Sequence, residues 1–246
     1  MKPTVLLLIM CLAAEAVYAQ TPQPGGKIAE KDFIAVVLGK KITVKDKDTL
    51  DSIIFGSLLE QFAKQNNIEP SAEELDAFIA KTEEKERQSQ IKFEQDRKKL
   101  VAELKNTILN EQERKEKESQ IQTIESILET NREIKEQTRG MEEQMRPMKR
   151  QMAQQFVKAW KINKALYAKY GGRVIFQQAG AEPLDAYRDF LKEQEKNGAF
   201  QFINKKYEAS FWRYFTNDAM HTFYKKEEGA RFMNTPWWMM EQPPEE

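Results

Sequence analysis

From Ser71 to Arg139 the chain runs for 69 residues without a glycine or a proline. A stretch that long with no punctuation is helical, because strands are short and need turns between them. Residues 81–120 carry 21 charged side chains, 11 basic and 10 acidic, with the signs interleaved. Mixed signs describe a solvated helical surface rather than a tail that grips a charged polymer. The apolar stripe beneath is thin: Leu100, Leu104 and Ile108, flanked by Val101 and Leu109. From residue 121 a heptad appears. Ile127, Ile134, Met141 and Met148 recur every seven, with Ile124, Asn131, Thr138, Met145 and Met152 as the companion set. Alternating steps of three and four mark a coiled-coil seam. Asn131 and Thr138 make it polar in places, Gly140 loosens it and Pro147 interrupts it. One continuous rod and an antiparallel hairpin with its tip in Asn110–Gln120 both fit. The hairpin fits better, since each arm would cover the other's stripe. The methionines suit either a soft core or the wall of a groove, where flexible thioethers adapt to many partners.

Ahead of the long helical stretch, FIAVVLGKKITV at 33–44 reads as a short strand or hairpin turning at Gly39-Lys40. Leu50, Ile53, Ile54, Leu58, Phe62 and Ala63 then form one helical stripe, with Asp48 and Thr49 as caps. Asn66 and Asn67 end that helix, Pro70 bars its continuation, and Ser71 with Glu74 forms a capping box for the next. Beyond residue 150 aromatic side chains become dense, and most must build a core. Gly171-Gly172 ends a helix, and RVIFQ at 173–177 forms a strand. A helix runs from Glu182-Pro183 to Asn197-Gly198. AFQFI at 199–203 pairs with the 173–177 strand, and a last helix covers 205–225. Trp237, Trp238, Met239 and Met240 either fold back onto the body or form an exposed apolar patch.

The N-terminus carries Lys2, the apolar run of residues 5–14 and a Val17-Tyr18-Ala19 site, a secretory signal peptide cleaved near Ala19. Cys11 is the only cysteine and lies inside that segment, so the mature chain has no disulfide and no thiolate chemistry. Basic and acidic residues balance at 39 each, which argues against nucleic acid as partner. No segment is suited to stable membrane insertion. The single histidine, His221, is a poor base or ligand on its own. No phosphate loop, metal-spaced cluster or nucleophile motif is present, so no cofactor and no enzyme activity is expected.

The segment AVVLGKKIT, followed by a helix ending LLEQFAKQNNIEPSAEELDAFI, resembles the N-terminal module of SurA-type periplasmic chaperones and their PpiD- and PrsA-like relatives. Val37-Leu38-Gly39 stands where that family has Val-Asn-Gly, and Ile68, Ser71, Glu73, Glu74, Leu75 and Asp76 match its helix start. The resemblance covers residues 33–80. The histidine-containing strands of the parvulin isomerase domain are missing. Taken with the long charged helical stretch, the resemblance gives the expected fold: a mainly α protein, with a helical chaperone-like module, a long projecting hairpin or coiled coil and a few short β-strands. The expected organisation is signal peptide 1–19, flexible leader 20–32, SurA-like module 33–80, charged hairpin 81–149, aromatic-rich helical part 150–235 and tail 236–246. The expected function is that of an ATP-independent periplasmic holdase for unfolded or partly folded exported proteins. Met141, Met145, Met148, Met152 and Trp160 would form the client-binding surface. The alternative is a structural adaptor whose hairpin binds one envelope partner or itself, which leaves a homo-oligomer open.

Overall fold

The structure, a computed structural model, describes residues 32–241 except 106, 107 and 178. The expected signal peptide with Cys11, the expected leader up to residue 31 and the last five residues of the expected tail lie outside the described residues. Seven α-helices and five short strands make the described chain mainly α. It divides into two compact units. One takes the chain up to Asn67, Ile162–Thr235 and the segment from Met240; the other takes Ile68–Lys161 and Pro236–Met239. The division falls at the corner after Asn67, so the stretch 33–80 is shared between the units.

In the first unit, β1 (Phe33–Val37) and β2 (Lys40–Thr43) form a hairpin. Its two-residue turn is Leu38-Gly39, one position earlier than expected, and both residues have positive φ, at 49° and 77°. That is the type I′ geometry that fits the twist of a hairpin, and it favours Asn-Gly. The Leu38 amide donates to the Ala199 carbonyl at 2.7 Å. A 3-10 turn over Val44–Thr49 follows, opened by Thr43, whose amide and hydroxyl both donate to Asp46. Thr49 makes no side-chain cap, so the expected cap at Asp48–Thr49 is replaced by the Thr43–Asp46 pair. Helix α1 (Leu50–Gln65) buries Leu50, Ile54, Leu58, Phe62 and Ala63. Asn67, at φ 52°, ends it as the sequence indicates.

The rest of the unit supplies the other half of the core. Helix α4 (Glu142–Tyr170) gives its residues from Ile162 to this unit. It stops at Gly171-Gly172, both with positive φ, where a Cβ on Gly172 would lie 2.4 Å from that of Asp185. Strands β3 (Ile175–Gln177) and β4 (Gly180–Glu182) pair with each other, and α5 (Leu184–Lys196) follows. Strand β5 (Phe200–Phe202) joins β1 in a three-stranded antiparallel sheet ordered β2-β1-β5, rather than pairing with residues 173–177. That register buries Phe200 and Phe202 with Phe211 of α6 (Glu208–Thr216). The helix expected over 205–225 is broken after Thr216, because the Asn217 side chain accepts from the Ala219 amide and turns the backbone. The chain resumes helix only in α7 (Lys226–Asn234).

The second unit is built on α2 (Ala72–Leu104) and α3 (Glu111–Gln137). Ser71 and Glu74 form the expected capping box. The two helices make an antiparallel hairpin, not a rod, and Lys117–Glu103 and Arg97–Glu125 tie the arms. Helix α2 ends at Leu104 and α3 already begins at Glu111, so the tip precedes the expected Asn110–Gln120. Asn110 is itself the cap of α3, exchanging hydrogen bonds with Glu113 at 2.9 Å. The seam is shallow. Phe93, Leu100 and Leu104 of α2 and Ile121, Ile124, Ile127, Leu128 and Asn131 of α3 are half-buried, and α3 has no fully buried residue.

Leu38 in the left-handed region costs about 1 kcal/mol, and Asn tolerates that conformation. Leu38→Asn should therefore raise the unfolding free energy by about 0.5–1 kcal/mol, read as an increased midpoint in denaturant melts with an unchanged slope.

Candidate functional site

The heptad seen in the sequence is divided between two helices. Helix α3 ends at Gln137, the chain turns through Thr138–Met141 with Gly140 at φ 78°, and α4 begins at Glu142. Helix α4 passes through Pro147, losing one internal hydrogen bond rather than ending there. Both α3 and the first part of α4 run antiparallel to α2. Between the Arg97–Glu125 and Lys149–Glu83 pairs, α2 advances 14 residues and the return arm 24. Ten extra residues cannot all lie against α2, so the return arm leaves it around the turn.

This divergence opens a cleft of about 340 Å³ lined by Asp76, Ile79, Ala80, Glu83, Glu142, Arg146, Lys149 and Arg150. Two of its residues, Ile79 and Ala80, are apolar, and the rest are charged groups of both signs. Lys149 bonds Glu83 at 2.6 Å and Arg150 bonds Asp76 at 3.1 Å. Exposed pairs like these contribute little stability, but they hold the walls at a fixed spacing.

The five candidate residues separate into three environments. Met141 and Met148 are exposed, at 40% and 50%, and Ile134 is exposed at 53%. Met145 and Met152, with Ile124, Asn131 and Thr138, are half-buried. The companion set is thus the inward-facing one, whereas Ile134, Met141 and Met148 of the principal set face solvent. Trp160 is not on a free surface. It packs with Phe156 and Ile79 against Leu75, Phe78, Ala153, Val157 and Trp238.

Among the described residues this cluster holds every buried side chain of the second unit except Ile68. Phe78 and Phe156 stack with centroids 5.7 Å apart and planes 14° apart. The C-terminal Trp237 and Trp238 fold back onto it, Trp238 edge-on to Phe78 at 4.9 Å. The sequence left both fates of this pair open, and the fold-back is what occurs. Ionic contacts flank the cluster: Lys161 donates to Glu74 at 2.7 Å and to the Glu69 carbonyl at 2.9 Å, and Lys158 reaches the Glu69 carboxylate. Burial pushes the Glu74 pKa upward, but the hydrogen bonds from Lys161 and from the Ser71 amide, together with the Lys161 charge, outweigh it and hold the carboxyl below its ordinary range. The i, i+3 and i, i+4 spacings of Leu75, Phe78 and Ile79 are visible in the sequence, but their pairing with Phe156 across more than 70 residues is not.

Ionisable groups also gather in the first unit. Tyr214 donates to Glu182 at 2.6 Å, Tyr187 donates to Asn163 at 2.6 Å, and Asn163 donates to the Ala181 carbonyl. His221 donates through Nε2 to the Tyr214 carbonyl at 2.7 Å and sits edge-on to that ring. These bonds fasten β4, α5 and α6 to the end of α4. Burial raises the Glu182 pKa and that of Tyr214. Among the described residues no group of three or more His, Cys, Asp or Glu side chains is disposed to hold a metal ion, and no helix is long and apolar enough to cross a membrane.

Comparison of the chain with protein-family models, with curated proteins and with solved structures found no match.

A carboxyl whose pKa is raised on folding favours the fold in its protonated form. The stability it contributes is present below the ordinary value of 4.5 and is lost as pH rises through the raised value. Glu182→Gln keeps an acceptor for Tyr214 and removes that loss. Its melting temperature relative to the parent should rise as pH climbs from about 4 to 7. A constant difference across that range in thermal melts would contradict the burial account.

Proposed function

We propose that the protein is an ATP-independent chaperone of the cell envelope, holding unfolded or partly folded exported chains on apolar side chains of the helical arms. The observation that carries this reading is that three large apolar side chains, Ile134 near the end of α3, Met141 in the turn and Met148 in α4, stay exposed on an otherwise charged arm that also walls a cleft containing Ile79 and Ala80. Unfolded chains share exposed apolar surface, and covering it is worth about 25 cal/mol per Å². Unbranched thioethers adapt to many shapes, which suits weak binding of many sequences. The interleaved charges on α2 and α3 would keep such a complex soluble. The resemblance of residues 33–80 to SurA-type chaperones supports the same role, and the N-terminal signal sequence supports export. Of the five candidate residues, Met141 and Met148 are the binding groups in this reading. Trp160 holds the arm together and acts on binding only through the fold.

Because Met141 and Met148 are exposed, replacing both with serine should leave helicity and melting temperature within experimental error. Suppression of the aggregation of a urea-unfolded outer-membrane β-barrel, followed by light scattering, should need about tenfold more of the variant. Equal suppression by the folded variant would remove the methionines from the mechanism. Capture of one stoichiometric partner with no general suppression would favour the adaptor reading instead.

A further inference from the structure

The segment Pro236–Met239 occupies a trough between two helices of its own unit. Leu75, Phe78 and Ile79 line the α2 side, and Ala153, Phe156 and Trp160 line the α4 side. The segment is one 3-10 turn, closed by the Met239 amide donating to the Pro236 carbonyl at 2.9 Å. Its grip is made of rings. Trp238 lies 4.9 Å from Phe78 and 5.9 Å from Trp160; Trp237 lies 6.0 Å from both Phe78 and Phe156. The walls are also fixed without it, since Phe78 stacks on Phe156, and Lys149–Glu83 and Lys161–Glu74 bridge the same two helices. The fit is imperfect in one respect. The Trp237 indole N–H is buried and has no hydrogen-bond partner among the described residues. A donor left so is a cost of the docked state that release into water removes.

We propose that this trough is a peptide-binding groove and that Pro236–Met239 is its resident, displaceable occupant. The ligand class is read from that occupant: a short segment with a proline, two adjacent aromatic side chains and a long aliphatic one, carried by another chain. A single 3-10 turn held in its trough by ring contacts, between Thr235 and the buried Met240, can open locally without unfolding the helices that wall it. While the segment is docked the groove is closed, and an incoming segment binds only in proportion to the fraction of molecules with the resident released. The inference extends beyond the exposed methionines and does not depend on them.

The test uses the full chain carrying Trp237→Ala and Trp238→Ala, and a fluorescein-labelled peptide of residues 234–240, Asn-Thr-Pro-Trp-Trp-Met-Met. Fluorescence anisotropy should show saturable one-to-one binding to the variant and about tenfold weaker binding to the parent chain. The same peptide with both tryptophans changed to serine should bind neither. Absence of saturable binding to a variant of parental helicity, or equal affinity for both proteins, would overturn the proposal. If the variant loses helicity, hydrogen exchange on the parent chain decides. The Met239 amide should exchange about tenfold faster than the amides of Ala153–Trp160, and exchange of both in one cooperative step would overturn the proposal. The chain with serine at 141 and 148 should bind the peptide as its parent does, so failure of the methionine reading and failure of the groove give different results.

Discussion

The second unit depends on the stack of Phe78 on Phe156. Elsewhere the hairpin has only half-buried seam residues, exposed ion pairs and the caps at its helix ends. An antiparallel pair of helices that buries so little is marginal in water, since isolated helices gain most of their stability from packing an apolar face. The stack, with Leu75, Ala153, Val157 and the two C-terminal indoles around it, supplies that packing at one end. Charge-assisted pairs along the arms set which faces meet, but contribute little each.

This concentration of packing explains the distribution of exposed apolar groups. Where α4 leaves α2, the arm has no core to turn toward, and Ile134, Met141 and Met148 are left facing water. Single exposed apolar residues are ordinary. Three of them within fifteen residues, spread over α3, the turn and α4 of an arm dominated by Lys, Arg, Glu and Gln, are less so, and in the proposed reading they are where another chain's apolar surface is covered. The first unit contrasts with this. Its sheet, α1, α5 and α6 close over Ile34, Val37, Leu58, Phe190, Phe200 and Phe211, and its ionisable side chains are spent on fastening elements to one another.

Local signals in the sequence were legible and non-local ones were not. Ser71 with Glu74 announced the start of α2, and Asn67 the end of α1, because caps are decided within a few residues. Asn110 with Glu113 repeats the same spacing and marks the start of α3, yet the polarity around it reads equally well as a hairpin tip. The heptad through Ile127, Ile134, Met141 and Met148 was real as a period, but a period does not reveal the turn at Thr138–Met141. Once that turn forms, the inward face is the companion set, and the candidate binding residues divide between surface, seam and core. Local pattern sets β5 beside the wrong neighbour, because any alternating strand satisfies it. Only the Ala35–Phe202 and Val37–Phe200 register, set by what Phe200 and Phe202 must bury, selects β1.

The central claim is that unfolded chains are held on the exposed methionine face of the return arm. The most direct measurement places a photo-crosslinking benzoylphenylalanine at Met148, and separately at Glu116 on the same hairpin, and irradiates each protein with several unrelated unfolded chains. Adducts with all of them from position 148, and few from position 116, are the expected result. Equal labelling from both positions, or none from position 148, would contradict it.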